Sequence, residues 1–349
     1  MIQDGGGPIR PVRWGVLSPA RIGLERVLPG MRKSRWCDLR VMGSRSLHRA
    51  RAAAASLDIP VCHGSYEEVL DDPAIEAIYN PLPNHLHVPW TLKAAAAGKH
   101  VLCEKPIAMT GAEAESLRAV TSGVLIAEAF MVRFHPQWLR ARDLVRQGRI
   151  GDLTLVQMTF GYRNVDSSNI RNAAGIGGGA LYDIGCYAVV AGRFFFESEP
   201  ERAVSLIDRD PAFRTDRLTS ALVDFGVGRH LDFTVATQIA RSQRLTLCGT
   251  TGRIDLPIPV NAPQGAATTI AIDDCNSLDG SGIVTETLAE SDQYMLQGEA
   301  FSKAVRGIAP FPYGVEDAIA NMRVLDALFR SERSRAWEDI ARSSTEKPT

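Results

Sequence analysis

A doubly wound α/β domain followed by an α+β domain with a large, mostly antiparallel open sheet is the fold class the sequence predicts. Two observations carry most of that expectation. Over the first 130 residues short apolar runs alternate with helical segments, and six such runs suit a parallel sheet covered on both faces. Beyond residue 130 the segments lengthen and become β-branched, with few helices between them. The length agrees, since 349 residues suit two domains of about 150 residues better than one. The expected domains are 1–130 and 131–349, with the last helix packing back on the first domain.

Strands are expected in the first domain at 12–17, 38–43, 59–62, 74–79, 100–103 and 124–130. Helices at 21–31, 46–57, 66–70, 88–97 and 110–122 separate them. Ser46 stands where an N-cap belongs, Gly98 ends the fourth helix, and Thr110 with Glu113 forms a capping box for the fifth. The second domain opens with a helix at 135–147. Strands are expected at 153–162, 203–206, 219–225, 230–239, 244–248 and 268–272, with one helix near 179–196 and two closing helices at 291–306 and 314–333. The leader up to Pro11 and the polar tail after Arg342 read as loose ends.

Composition removes several function classes. Apolar residues make up 45% and charged residues 23%, the ordinary globular range. Lys+Arg is 39 against Asp+Glu 40, which leaves no basic footprint for nucleic acid. The longest apolar candidate for a membrane span, 180–196, is broken by Asp183 and Arg193, so no membrane partner is expected. The first residues lack the charged and apolar regions of a secretory signal. Six scattered cysteines without a CxxC suggest reduced thiols, a cytoplasmic setting and no zinc or other metal site.

Four segments carry chemistry. The turn after the first strand reads Ser18-Pro19-Ala20-Arg21-Ile22-Gly23, a dinucleotide fingerprint in which only the third glycine survives. Alone it equally suits an ordinary strand–helix turn. The second strand ends in Gly43-Ser44-Arg45 with no carboxylate from 39 to 57. A hydroxyl and a guanidinium suit a 2′-phosphate, although a solvated arginine would look the same. The fifth strand delivers Glu104-Lys105-Pro106 to its carboxyl end, where ligands bind in open α/β sheets; a surface ion pair is the plainer reading. Lysine is scarce here, which makes Lys105 stand out. The fourth segment, 177–187, opens with three glycines and sets Asp183 and Tyr187 four apart on one helix face. A carboxylate and a phenol there form an acid/base set, or else a cap and a packing ring.

With these residues, and with Pro81-Leu82-Pro83-Asn84 and His87, Arg133-Phe134-His135-Pro136 and Ala318-Ile319-Ala320-Asn321-Met322, the chain resembles the glucose–fructose oxidoreductase/inositol dehydrogenase (Gfo/Idh/MocA) family of NAD(P)-dependent oxidoreductases. The resemblance runs from about Pro11 to Trp337. It implies an NADP-binding Rossmann domain and a substrate-binding domain that also mediates homodimer or homotetramer formation through its sheet. It implies Lys105 as the family's catalytic lysine, Asp183 as the substrate-orienting aspartate and Tyr187 at the acid/base position. The implied cofactor contacts are Ser18, Ala20, Arg21, Ile22, Gly23, Ser44, Arg45, Pro81, Asn84, His87, Glu104, Lys105 and Arg133. Lys105, Arg171, Asp183 and Tyr187 are the implied substrate contacts.

The chemistry is consistent. Oxidising a carbinol needs a hydride acceptor and a base, and a phenol titrates near ~10, too high for a base at neutral pH. An adjacent ammonium would lower it, so Lys105 is expected to meet Tyr187 across the cleft. Asp183 in the cleft favours a sugar, polyol or cyclic diol over an apolar substrate. Two readings from other classes stay open: an NADP(H)-binding sensor without turnover, and an elimination or glycosidase enzyme that oxidises its substrate only transiently.

Overall fold

The computed structural model describes residues 10–120 and 123–341. Most of the expected leader, the whole tail beyond Arg342 and Thr121 and Ser122 at the end of the fifth expected helix lie outside the described residues. Strands β1 (Val12–Val16), β2 (Cys37–Gly43), β3 (Val61–His63), β4 (Ala77–Asn80), β5 (His100–Cys103) and β6 (Ile126–Glu128) form one sheet in the order β3-β2-β1-β4-β5-β6. Every pairing is parallel. The order reverses between β1 and β4, which places a ligand crevice beyond their carboxyl ends.

Helices α1 (Leu28–Met31, entered by a π-turn at Gly23–Val27), α2 (Leu47–Ala55), α3 (Tyr66–Asp71), α4 (His87–Ala96) and α5 (Gly111–Glu115) connect the strands. Both faces are therefore covered, and Trp14, Ile78, Tyr79 and Leu102 are fully buried. The caps form as the sequence predicts. Ser46 Oγ accepts from Arg49 N at 3.4 Å and Thr110 Oγ1 from Glu113 N at 3.1 Å. Glu113 reaches one residue further back than a capping box requires, accepting from Met109 N at 2.7 Å. The fifth helix is shorter than expected: it tightens to a 3₁₀ turn at Ser116–Ala119, and Val120 is already extended.

The second part begins with α6 (Pro136–Arg146), capped by the ring of His135, whose Nδ1 accepts from Gln137 N at 3.1 Å. It continues through β7 (Leu153–Arg163), α7 (Cys186–Phe196, entered by a π-turn at Leu181–Gly185), β8 (Arg202–Arg209), β9 (Asp216–Asp224), β10 (His230–Ala236), β11 (Gln238–Gly249), β12 (Arg253–Leu256), β13 (Thr268–Asp273), β14 (Ile283–Leu288), α8 (Gln293–Val305), α9 (Val315–Ser334) and β15 (Glu338–Asp339). Among the described residues these nine strands make one sheet, β14-β13-β12-β11-β7-β10-β9-β8-β15, antiparallel except between β7 and β10. The run expected at 230–239 is cut at Thr237, where β10 gives way to β11. Strands β12, β14 and β15 escaped the sequence pattern; β14 is largely exposed and β15 has two residues, so neither shows a buried alternation.

Both closing helices return to the first sheet. The α8 residues Phe301 and Ser302 meet Trp14, ring centroids 5.2 Å apart, with Trp14 Nε1 donating to Ser302 Oγ at 3.2 Å. On α9, Asp326 accepts from Gly111 N at 2.8 Å. The stretch Ala174–Phe196 is long and apolar enough to cross a membrane by length and composition, but 67% of its apolar window is buried inside the protein.

Beyond the end of α8, Arg306 clamps the start of the first domain. Its guanidinium donates to Glu76 at 2.8 and 2.9 Å and to the carbonyls of Arg10 and Pro11. Burial opposes ionisation of Glu76, but the bonds from Arg306 and Arg13 prevail and hold its carboxyl down to about 2. A depressed carboxyl contributes stability that is complete above its unfolded value, about 4.5, and is lost as pH falls through about 2. Urea unfolding of wild type and Glu76→Gln should therefore differ most at neutral pH, with the gap closing between pH 4.5 and 2.

Candidate active site

The two sheets meet where β5 ends and the π-turn into α7 begins. The peptide between Lys105 and Pro106 is cis. Lys105 crosses to the second domain: its Nζ donates to the backbone carbonyl of Asp183 and lies 3.3 Å from Asp183 Oδ1. The same ammonium sits 5.1 Å from the centroid of the Tyr187 ring. The sequence expectation that these residues converge is met, with one change of geometry. The cation faces the ring and its charge is spent on Asp183.

Asp183 is the hub. Its Oδ2 accepts from Tyr162 Oη at 2.6 Å and lies 3.0 Å from Arg171 Nε. Burial works against ionisation here, but Lys105 and Arg171 overcome it and keep the carboxyl well below the usual carboxylate range. Burial likewise disfavours the Lys105 ammonium, and Asp183 reverses that effect, raising its pKa. Arg171 is held charged first by Asp183. The ionised network is thus self-consistent.

Tyr187 differs from expectation. Its side chain is buried, edge-on to Phe130 with centroids 5.2 Å apart, and its hydroxyl faces Met131 Sδ at 3.5 Å. Burial pushes the hydroxyl well above the ordinary tyrosine value, with Glu104 adding to the effect. The lowered pKa expected from Lys105 does not arise, because a desolvated phenolate costs more than a cation engaged elsewhere returns.

Two steric constraints hold Asp183 and Tyr187 in place. Asn84 Nδ2 donates to Gly177 O at 2.8 Å, tying the loop after β4 to the glycine run. Gly179 has φ +119°, and a Cβ there would fall 1.8 Å from Asp216 Oδ1. Asp216 can then accept from Leu181 N at 2.6 Å and fix the start of the helical segment.

The remaining expected residues divide. Ser18 and Ala20 follow β1 half-buried, and Arg21 is exposed and paired with Glu25 at 2.7 Å. Ile22 and Gly23 pack inward, a Cβ on Gly23 meeting Tyr79 at 3.4 Å. Ser44 is buried, and beside it Arg45 is exposed and unpaired among the described residues. Glu104 stands at the crevice, held by Tyr79 Oη at 2.7 Å, its carboxyl raised by burial. Pro81 is buried in the loop after β4.

His87 and Arg133 do not reach the crevice. His87 is 1% exposed, with its two nitrogens 2.7 Å from Pro106 O and 2.6 Å from Leu82 O. Burial outweighs the pull of both carbonyls and lowers its pKa to about 4. It staples the Glu-Lys-Pro loop to the loop after β4. Arg133 is 3% exposed, pairs with Asp317 at 2.6 Å and stacks over Tyr313 at 3.8 Å and Phe130 at 5.2 Å. It supports Tyr187 from behind through Phe130. Tyr162 was not foreseen; its one signal is its position at the end of β7.

A dinucleotide fits this crevice. The first turn at Arg21 leaves backbone N–H groups without intrahelical partners. The free Arg45 guanidinium adjoins the end of β2, and the buried Nδ1 of His85 lacks a partner near the end of β4. Among the described residues no group of three or more His, Cys, Asp or Glu could hold a metal.

Comparison with known proteins agrees with this geometry. Residues 12–123 match the model of an oxidoreductase family with an NAD-binding Rossmann fold, and residues 138–255 match the GFO/IDH/MocA C-terminal domain. The chain is 43% identical to an oxidoreductase of Rhizobium meliloti over 94% of its length and 99% of that protein. It is 33% identical to an NADP-dependent D-xylose 1-dehydrogenase of Haloferax volcanii, over 94% and 99%. A 3-ketoreductase from Actinomadura kijaniata, crystallised with NADP and TDP-benzene, superimposes with a TM-score of 0.86 at 27% identity, covering 92% of this chain and 98% of that one.

Proposed function

Because the chain belongs to the Gfo/Idh/MocA oxidoreductase family, we propose that it interconverts a carbinol and a carbonyl on a sugar, polyol or related diol with NADP as cofactor. The observation that carries this reading is the meeting of Lys105, from the loop after β5, with Asp183 and Tyr187, from the helical segment that enters and begins α7. The xylose dehydrogenase and the ketoreductase are relatives that use or bind NADP, and the unpaired Arg45 beside Ser44 suits its 2′-phosphate. The turn 18–23 would hold the pyrophosphate, and Glu104 and Lys105 would border the nicotinamide. The bound cofactor supplies or accepts the hydride.

The protein's own residues handle the rest. Ionised Asp183 accepts a hydrogen bond from a substrate hydroxyl and fixes which carbon faces the nicotinamide. Arg171 and Tyr162 keep that carboxylate from turning. A neutral Tyr187 at ordinary pH is ready to donate its proton to a carbonyl oxygen, so the raised pKa favours reduction near neutrality. Oxidation needs the phenolate, which burial disfavours, so it accelerates toward alkaline pH. Beyond the crevice, Leu206, Leu218 and Leu222 lie on one exposed face of β8 and β9, which suits association with a second copy through the sheet.

Tyr187→Phe should lower kcat for carbonyl reduction by at least ~100-fold while leaving the NADPH Kd unchanged. Fluorescence titration and steady-state assays over a panel of aldoses and ketosugars measure both, and near-wild-type kcat would refute the role. Arg45→Ala should weaken NADPH by about tenfold or more and NADH little, the loss of one charge-assisted contact. Equal losses for the two cofactors would reject Arg45 as the 2′-phosphate contact.

A further inference from the structure

Behind the Lys105 loop stands a buried acid that the proposed chemistry leaves unused. Glu128 is the last residue of β6 and pairs in register with Cys103, the last residue of β5, so it lies beside the strand end that delivers Lys105. At 1% exposure, its Oε1 accepts from Ile107 N at 2.7 Å, two residues past Lys105. Ile107 is itself fully buried, so water cannot take over that N–H. Glu128 Oε2 has no partner among the described residues. The side chain is thus committed to one backbone N–H.

The bond is held at a cost. Burial pushes the carboxyl up to about 8, against the pull of Arg133, and its second oxygen is desolvated with no bond in return among the described residues. What the bond secures is a peptide plane. The Ile107 N–H and the Pro106 C=O belong to one peptide unit, and Pro106 O lies 2.7 Å from His87 Nδ1. Two buried side chains, one from α4 and one from β6, therefore grip the two polar ends of the same rigid plane. The Pro106 ring fixes φ on the near side of that plane. Little freedom remains between this clamp and Lys105, whose Nζ reaches across to Asp183. We propose that Glu128 is a positioning residue for the Lys105 ammonium: with His87 it locks the peptide plane after Pro106 and so holds Lys105 against Asp183. The role rests on the redox reading of the same site.

Three substitutions separate reach from charge. Glu128→Gln keeps an acceptor at full reach and matches the neutral acid. Glu128→Asp keeps the carboxyl but withdraws it by one methylene. Glu128→Met keeps the length and removes the acceptor. In carbonyl reduction with NADPH and the preferred sugar, the Gln variant should keep about a third or more of wild-type kcat, while the Asp and Met variants lose about tenfold or more. The NADPH Kd and circular dichroism should not change. The loss should vanish in a Lys105→Met background, where the group to be positioned is gone. If the Met variant does not fold, the Asp and Gln variants give the same decision. Wild-type kcat in the Asp variant, a Gln variant as slow as the Asp variant, or a full loss in the Lys105→Met background overturns the proposal. Crystal structures of the Asp and Gln variants decide the point without turnover. Lys105 Nζ, 3.3 Å from Asp183 Oδ1 in the wild type, should move away in the Asp variant and stay in the Gln variant. An unmoved Lys105 in the Asp variant overturns the positioning role, whereas a wild type that reduces no sugar overturns only the redox reading.

Discussion

One contact between the two halves governs the site: the Lys105 ammonium on the Asp183 carboxylate and its own backbone carbonyl. Each group is largely buried, and each would be costly to keep charged alone. Together they stay charged, with Arg171 and Tyr162 both on the second carboxylate oxygen. A single ion pair therefore does three things. It closes the interface between the sheets, aims a carboxylate into the cleft, and parks a cation over the face of the Tyr187 ring.

The backbone makes that contact possible. Gly179 lets Asp216 approach the start of the helical segment more closely than any side chain would allow, and Asn84 anchors Gly177 from the other domain. His87 and Arg133 act one layer further out, stapling the loop of Lys105 and buttressing Phe130 behind Tyr187. The hydroxyl of Tyr187 is thereby placed in dry surroundings, which keep it protonated. A dry, protonated phenol therefore stands beside an ionised carboxylate.

Much of this was legible in the sequence, for reasons that are local. The alternation of strands and helices, the Ser46 and Thr110 caps, the strand-end Lys105 and the four-residue spacing of Asp183 and Tyr187 depend on periodicity and short-range chemistry. What escaped depends on contacts distant in the chain. Arg133 meets Asp317 184 residues away, and nothing around Arg133 announces that a partner will take it from the crevice. The upward shift of Tyr187 follows from burial among Phe130, Phe160 and Met131, which only the packed fold creates. Tyr162 joined the site for the same reason: its strand pattern marks it as an ordinary β7 residue until the sheet brings it to Asp183. The edge strands β14 and β15 carry too little buried surface to print a pattern.

A double-mutant cycle on Lys105→Met and Asp183→Asn, read as kcat/KM for carbonyl reduction with the preferred sugar, tests the central contact most directly. If the two residues act as one unit, the double variant will be no worse than the poorer single variant, because the second substitution removes a partner already stranded. If the two losses instead multiply, the residues work independently, and an account built on their pairing fails.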